Sequence, residues 1–578
     1  MAEYVPPLDD IAFVLRHLVD LPGIARFAAY EHADVDTSLG LLEEAGRFFA
    51  EAVAPTNKVG DEQGSRWQPD GTVVTPDGFK EAYAQYVAAG WGAVPFDPEY
   101  GGGGFPWVIA TALQELMNSA NMAFSMAPLL TQGAIDMLSH HGSVEQKQAF
   151  LPKMITGEWT GTMNLTEPDA GSDVGALRTK AEPAADGSYR ITGTKIFISF
   201  GEHDLADNII HLVLARTPGA PPGTKGISCF IVPKVLEDGT RNAVRCMSVE
   251  HKMGIRASPT CVLDYDAATG YLIGDENAGM RYMFTMMNNA RVSVGVEGLS
   301  LSERARQQAV AFAKERRQGR GPDAPAGTSS PIVEHPDVRR MLLTMRALTE
   351  AMRALAYVNA AAVDLARHHP DEATRTTAME RADVLTPITK GWCTDTGVEV
   401  TSLAIQVHGG MGYVEETGVA QHFRDARITP IYEGTNGIQA MDLVGRKLPI
   451  RMGGAVIDLL EEMATVDGGP ELTDAVAAMR EATEWLLANG LQDPVDALAG
   501  ATPYLRLCGI VVGGWLLARS AVIARQLLDA GEGDAGFLED KIVTARFYAE
   551  QLLPAARGLV PAVKAGGEVL FAIPEDRL

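Results

Sequence analysis

The sequence has little positive charge, few cysteines and no long hydrophobic run. Against 74 aspartates and glutamates there are only 49 lysines and arginines, so the formal net charge is −25. This excess of negative charge repels nucleic acid phosphates and anionic membrane surfaces, so we expect no nucleic acid partner. The longest apolar stretch, about 12 residues from Leu507 to Ala518, is shorter than the ~20 that span a bilayer, which predicts a buried helix and no integral membrane segment.

The cysteines and histidines give no sign of metal binding or of export. The five cysteines include no CxxC pair, and a scattered set of this kind favours a reducing cytoplasm over a disulfide framework. His140, His141 and His251 have no partners at metal-ligand spacing, so we expect no metal. The N-terminal residues lack the basic and apolar segments of a secretory signal, which also predicts a cytoplasmic protein.

Apolar periodicity divides the chain of 578 residues into a helical, a β, a helical and a further helical region. The first region is predicted to hold helices broken at Pro128 and Pro152, over residues 41–53, 79–90, 107–120 and 129–156. Short strands are predicted from Gly161 to about Ile273, at 189–198, 209–215, 226–232 and 260–265. Long helices then return at 281–317, 336–369 and 374–407, with a loop from Gly319 to Pro331.

One carboxylate, Glu433, stands between apolar residues and Gly434, just ahead of a helix start that Thr435 or Asn436 could cap. Taken alone, a Glu-Gly pair is typical of an exposed loop. Three other blocks occur at a distance from it: Leu165-Thr166-Glu167-Pro168 leading into Ala170-Gly171-Ser172-Asp173, then Gln406-Val407-His408-Gly409-Gly410-Met411-Gly412-Tyr413, and Arg424-Asp425-Ala426-Arg427.

These blocks, together with Ile431-Tyr432-Glu433-Gly434-Thr435, resemble the motifs of the acyl-CoA dehydrogenase family, and they occur in the family's order. The resemblance covers roughly residues 38–448. A narrower resemblance, over nearly the whole chain, is to the 3-methylmercaptopropionyl-CoA dehydrogenase-like subgroup with a C-terminal helical extension.

The resemblance implies an α+β, mainly helical fold. It has an N-terminal helical domain, a small central β-barrel-like domain, a C-terminal four-helix bundle and an additional C-terminal helical domain. The boundaries predicted for this chain are 1–37 for an N-terminal extension, 38–158 and 159–279 for the first two domains, 280–449 for the bundle with the catalytic base, and 450–578 for the addition.

The resemblance also implies FAD-dependent α,β-dehydrogenation of an acyl-CoA to the trans-2-enoyl-CoA, with Glu433 taking the C2 proton and flavin N5 accepting the C3 hydride. A carboxylate of ordinary pKa is a weak base, but withdrawal from water by Ile431, Tyr432 and the ligand should raise its pKa towards neutrality. The base position that some relatives use elsewhere corresponds to Ala290, which cannot remove a proton.

The family's binding positions transfer to this sequence residue by residue. For FAD they are Met163, Leu165, Thr166, Phe197, Ile198, Ser199, Arg316, Gln406, Gly409, Gly410 and Thr435. For the acyl-CoA they are Ser172, Asn288, Arg291 and Gly434. The chain departs from the family pattern at Asn288, Asp169 and Phe197, and the inserted loop 318–331 leaves the cofactor contacts there open.

Several functions and partners stay open at this level. The acyl group could be a fatty acyl chain or 3-methylmercaptopropionyl, and an acyl-CoA oxidase or a flavin-dependent elimination would use the same base and cofactor. A DNA-binding relative of the fold is disfavoured, because residues 451–578 hold 10 basic against 19 acidic side chains. The family implies an electron-transferring flavoprotein as acceptor and a homodimer or homotetramer.

Overall fold

The computed structural model describes residues 4–490 and 492–578. Within those ranges most of the chain is helical. The α-helices, in chain order, are α1 Leu8–Phe13, α2 Leu21–Ile24, α3 Val35–Phe48, α4 Thr56–Gln63, α5 Phe79–Ala88, α6 Trp107–His141, α7 Val144–Thr156, α8 Gly279–Glu315, α9 Pro336–His368, α10 Glu372–His408, α11 Val419–Ala426, α12 Asn436–Asp442, α13 Gly454–Ala464, α14 Gly469–Asn489, α15 Pro494–Ala499, α16 Ala501–Ala530, α17 Ala535–Gln551 and α18 Ala555–Lys564.

The strands are concentrated in the middle of the chain. In chain order they are β1 Arg66–Trp67, β2 Val73–Val74, β3 Trp159–Asn164, β4 Lys180–Pro183, β5 Tyr189–Ser199, β6 Asn208–Ala215, β7 Ser228–Pro233, β8 Val244–Val249 and β9 Thr260–Leu272. The chain forms two compact units. One holds the β-strands and comprises Glu44–Phe105 and Leu116–Ala290, and the other comprises the residues up to Glu43, Pro106–Glu115 and Arg291–Leu578.

The β unit is built on a mixed seven-stranded sheet in the order β3-β6-β7-β9-β5-β4, with β8 paired to β9. Only β3 and β6 run parallel along their length. The strand at the far edge of the sheet, β4, is hydrogen-bonded to the residue that follows β6. Ala181 N–H donates to Arg216 O at 2.8 Å, and Arg216 N–H donates to Thr179 O at 2.9 Å. The sheet therefore curls towards a barrel, and the predicted fold class is confirmed. Strands β3, β4 and β8 were not predicted.

The predicted helix breaks at Pro128 and Pro152 are wrong. Both prolines lie inside helices, α6 and α7, where each removes a single backbone hydrogen bond that surrounding packing can offset. The interruption in α6 is at Asn121, whose backbone is extended with φ −160° and ψ 102°. The side chain of Asn121 accepts a hydrogen bond from Phe124 N–H at 3.1 Å, so it caps the turn that follows.

The helical unit is organised around the long helices α9 and α10, with α16 packed against both. The predicted loop from Gly319 to Pro331 is confirmed, since no helix or strand forms between α8 and Pro331. Helix α16 is the one helix within the described ranges that is long and apolar enough to cross a membrane, but 67% of its apolar window is buried in the protein. The predicted buried helix at Leu507–Ala518 is thus confirmed as part of α16.

A buried ionic network joins distant parts of this unit at Arg353 on α9, which is 1% exposed. Its guanidinium is ion-paired with Glu115 on α6, with Glu303 on α8 at 3.0 Å and with Asp10 on α1. Asp10 in turn pairs with Lys541 on α17. Because an ion pair withdrawn from water leaves a costly charge behind when one partner is removed, Arg353 holds α1, α6 and α8 to α9, and Lys541 joins α17 to the same network.

Replacing Arg353 by Met keeps most of the buried volume and removes the charge, leaving the buried Glu115 without its counter-ion and Glu303 with Arg306 alone. We expect the free energy of unfolding in urea to fall by about 3–5 kcal/mol. The control is Arg340→Met, which removes an exposed pair with Asp337 and should cost less than ~1 kcal/mol. Equal unfolding midpoints for the two variants would contradict this role.

Candidate active site

Glu433 lies in the loop between α11 and α12. Thr435 caps α12, as its hydroxyl accepts a hydrogen bond from Ile438 N–H at 3.2 Å. The backbone before this cap is left-handed at two successive residues, with φ +55° at Glu433 and φ +83° at Gly434. Glycine adopts this conformation freely, whereas glutamate does so under strain, and strain of this kind concentrates at functional sites.

The loop is fixed in place by two amide side chains. The Nε2 of Gln439 donates to the carbonyl oxygens of Glu433 and Gly434 at 3.4 and 3.3 Å. Asn436 attaches the start of α12 to α10: its Nδ2 donates to Gly391 O at 3.0 Å, and its Oδ1 accepts from Lys390 Nζ at 2.8 Å. The strained backbone around Glu433 is therefore held from both sides.

The electrostatics of the loop favour a carboxyl that titrates near neutrality. Burial raises the pKa of Glu433 to about 7, and the positive charges of Lys390 and Arg291 oppose that rise. Burial also lowers the pKa of Lys390 to about 8. Arg291 is largely committed elsewhere, because its Nη1 lies 3.2 Å from the buried carboxylate of Asp442.

No Lys or Arg side chain forms an ion pair with Glu433 in the part of the chain that is described. The two nearby cations have other partners, Asn436 for Lys390 and Asp442 for Arg291. The half-buried carboxyl thus lacks the close counter-ion that would hold it ionised. Such a group can both accept and release a proton near pH 7.

A second carboxyl, that of Glu297 on α8, lies next to this loop. It is 0% exposed and accepts a hydrogen bond from the hydroxyl of Tyr432. Sequence reasoning missed both Glu297 and Lys390. Each is a single charged residue inside a fully buried helical stretch, residues 292–301 for Glu297 and 385–393 for Lys390. A lone charge within such an uncharged stretch is the feature of the sequence that could have identified them.

The predicted FAD positions of the helical unit lie at helix ends, where all are exposed except the half-buried Thr435. Arg316 follows the last residue of α8 and donates to Gln318 Oε1 at 3.2 Å. Gln406, Gly409 and Gly410 lie at the C-terminal end of α10, and a Cβ added at either glycine would meet nothing within 4 Å. These backbones can therefore be approached closely by a ligand, whereas the hydroxyl of Thr435 is already used as a helix cap.

The predicted FAD positions of the β unit form two adjoining segments. Met163, Leu165 and Thr166 come from the end of β3, and Phe197, Ile198 and Ser199 from the end of β5. A hydrogen bond of 2.9 Å from Ile196 N–H to Thr166 O joins the segments.

A buried ion pair supports the same junction. Lys195 Nζ lies 3.0 Å from Leu165 O and 2.8 Å from the Glu167 carboxylate. The ring of Phe197, at φ +58°, is 58% exposed beside the half-buried Thr166. An exposed aromatic face next to polar groups fits a planar ring such as a flavin, whereas the side chain of Ile198 is buried in the core.

The predicted acyl-CoA positions are divided between the two units. Ser172 lies in an exposed segment between β3 and β4, and Asn288 lies exposed on α8. Arg291 and Gly434 belong to the helical unit, where Arg291 is close enough to Glu433 to influence its pKa. Within the described ranges, no group of three or more His, Cys, Asp or Glu side chains is arranged to hold a metal.

Comparison with known proteins defines the class. Four family models match in succession: the acyl-CoA dehydrogenase N-terminal domain at residues 36–158, the middle domain at 162–268, the C-terminal domain at 277–448, and the acetyl-CoA dehydrogenase C-terminal-like domain at 457–574. The chain belongs to the acyl-CoA dehydrogenase family, whose members are FAD-dependent oxidoreductases.

Two relatives match over nearly their whole length. The chain is 50% identical to 3-methylmercaptopropionyl-CoA dehydrogenase of Ruegeria pomeroyi, over 95% of this chain and 96% of the relative. It is 36% identical to a butyryl-CoA dehydrogenase of Syntrophomonas wolfei, over 99% of each. The fold is similar to that of the acyl-CoA dehydrogenase of Bacillus anthracis solved with FAD, with a TM-score of 0.73 at 21% identity, covering 91% of this chain and 88% of the other.

The left-handed backbone of Gly434 predicts sensitivity to a small substitution. In Gly434→Ala the added methyl would lie 2.9 Å from Gln439 Nε2 at a φ that disfavours alanine, so we expect the free energy of unfolding to fall by about 1–2 kcal/mol. Gly437→Ala is the matched control, because its φ is ordinary and its nearest neighbour would be 3.6 Å away. Urea unfolding measures both, and equal losses would contradict the assignment of strain.

Proposed function

We propose that this protein converts a short acyl-CoA to its trans-2-enoyl-CoA, with Glu433 as the base that removes the C2 proton. The observation that carries the proposal is the state of the Glu433 carboxyl, which has no counter-ion in contact and a pKa raised by burial to about 7. A base whose pKa lies near the working pH combines a useful ionised fraction with useful basicity. An ordinary loop glutamate would be fully ionised and weakly basic.

The backbone of the same loop supports the proposal. Within the described residues the N–H of Glu433 donates no hydrogen bond, while its carbonyl oxygen is held by Gln439. That N–H can donate to the thioester carbonyl oxygen as negative charge develops there during removal of the C2 proton. Gly434 carries no side chain that would keep the substrate from the loop.

FAD is the group that accepts the hydride from C3 when it is bound. The residues proposed to hold it are Met163, Leu165, Thr166, Phe197, Ile198, Ser199, Arg316, Gln406, Gly409, Gly410 and Thr435. The junction between β3 and β5 supports this assignment, because it presents Phe197 beside Thr166 on a rigid backbone. Burial of the Ile198 side chain means that this residue would contribute through its backbone.

The substrate class follows from the relatives. Their names give a 3-methylmercaptopropionyl and a butyryl group, both short and unbranched acyl chains. We infer a substrate of this class, contacted by Ser172, Asn288, Arg291 and Gly434. Loss of a proton from C2 and a hydride from C3 requires hydrogen on both carbons, which both chains have.

The remaining assignments concern the electron acceptor, the oligomeric state, the cellular location and the domain boundaries. We infer that an electron-transferring flavoprotein takes the electrons on, because a dehydrogenase must pass them to a separate carrier. A cytoplasmic homodimer or homotetramer is the assembly that the family resemblance supports. The domain boundaries at 38–158, 159–279, 280–449 and 450–578 belong to the same proposal.

Replacing Glu433 by Gln removes the base and retains its size. The variant should keep the FAD absorbance of the wild type, and the rate at which butyryl-CoA or 3-methylmercaptopropionyl-CoA bleaches that absorbance should fall by roughly 10²–10⁴-fold. Glu550→Gln on α17, an exposed side chain paired only with Arg546, is the control and should bleach at the wild-type rate. Wild-type bleaching by Glu433→Gln would remove the proposed base, and no bleaching of the wild type by any thioester would remove the proposed reaction.

The bleaching rate should rise with pH through about 7, because the base acts only in its deprotonated form. Lys390 lowers the pKa of Glu433, so Lys390→Met should move the midpoint of this rise to higher pH. Lys390→Arg retains the charge and should keep the midpoint closer to that of the wild type. An unchanged midpoint in Lys390→Met would show that Lys390 does not influence the base electrostatically.

A further inference from the structure

The buried carboxyl of Glu297 has a partner for one of its oxygens only. Its Oε2 accepts the hydrogen bond from the hydroxyl of Tyr432, the residue immediately before Glu433. Its Oε1 is buried and has no hydrogen-bond partner among the described residues. An ionised oxygen in that position would be far more costly than a protonated one, since burial without a partner penalises charge most.

The charged groups that face Glu297 come from two elements. The loop contributes Tyr432 and Glu433, and helix α10 contributes Lys390. Burial raises the pKa of Glu297 to about 8, and the negative charge of Glu433 adds to the rise, whereas the Tyr432 hydrogen bond and Lys390 oppose it. Lys390 is not ion-paired with Glu297, because its Nζ is bonded to Asn436.

The charged groups that face Glu433 and Tyr432 also bear on which of the two glutamates ionises first. Glu433 is influenced by Lys390 and Arg291, both cationic, and Tyr432 is influenced by Asp425 on α11 besides the two glutamates. The cations favour ionisation of Glu433, the carboxyl that faces both of them. Two neighbouring carboxyls titrate as a coupled pair, and the charge arrangement favours ionisation of Glu433 first, because both cations act on Glu433 and Lys390 alone acts on Glu297.

We propose that Glu297 is a positioning residue that stays protonated while Glu433 acts as the base and, through its hydrogen bond to Tyr432, holds the strained loop in place. The proposal rests on the role of Glu433 proposed above. When Glu297 is neutral, the positive charge of Lys390 stabilises the ionised form of Glu433 alone. Ionised, Glu297 would repel the charge on Glu433.

Three variants separate positioning from packing. Glu297→Leu and Tyr432→Phe each remove the hydrogen bond, and we expect both to lower the bleaching rate by about tenfold because the loop is less well fixed. Glu297→Gln keeps an acceptor for Tyr432 but cannot ionise, so it should recover most of the rate. FAD absorbance and the thermal midpoint, compared with the wild type, establish that each variant is folded.

The pH profile provides the readout that a packing role would not change. Burial raises the pKa of both glutamates, so the wild type should show two inflections in its bleaching rate between neutral and mildly alkaline pH, and Glu297→Gln should lose the upper one. Two inflections in Glu297→Gln, or equal rates for Glu297→Gln and Glu297→Leu, would overturn the proposal. If Glu433→Gln loses bleaching while Glu297→Gln matches the wild-type profile, only the role of Glu297 fails; if Glu433→Gln bleaches normally, the proposed base fails first.

Discussion

The helical unit depends on a charge that is not in contact with water. Arg353 is buried on α9 and is satisfied only because acidic side chains reach it from α1, α6 and α8. Lys541 on α17 extends the network to the C-terminal helices by pairing with Asp10 and with Glu350 at 3.0 Å. Asp10, Glu115, Glu303 and Lys541 are all distant from Arg353 in sequence, so the network forms only when the whole unit has folded. It specifies one arrangement where apolar packing alone would tolerate several.

The loop of Glu433 follows the opposite rule, since its carboxylate is left without a counter-ion in contact. Lys390 and Arg291 are near enough to influence Glu433, yet each is bonded to another residue, Asn436 and Asp442 respectively. A direct ion pair would lower the pKa of Glu433 and weaken it as a base. The two cations therefore limit the rise in pKa caused by burial without cancelling it.

Much of the fold could be predicted from the sequence, because long amphipathic helices carry a repeated signal. The bounds predicted for α8, α9 and α10 agree closely with those observed. Strand β3 was missed because Trp159–Asn164 has small and polar residues whose burial depends on neighbouring elements. The break at Asn121 was missed because the capping role of its side chain depends on the turn that follows, whereas the nearby Pro128 gives a stronger local signal.

The active site was predictable only in part. A motif identified Glu433 and its glycine, and the left-handed backbone of the second position explains why a glycine stands there. Lys390 and Glu297 could not be paired with it from sequence, since a single buried charge does not indicate which loop it will face. Their proximity to Glu433 follows from the fold, in which α8 and α10 flank the loop.

The added C-terminal helices pack against α10 close to this site. Trp392 on α10 packs against Gly509 of α16, where a Cβ would lie 2.1 Å from the ring, and Leu505 of α16 packs against Gly391. These contacts cover α10 directly beside Lys390, which is 0% exposed. Burial is the main cause of the lowered pKa of Lys390, and α16 covers the two residues that follow it on α10. The C-terminal helices thus cover α10 next to the cation that influences the pKa of Glu433.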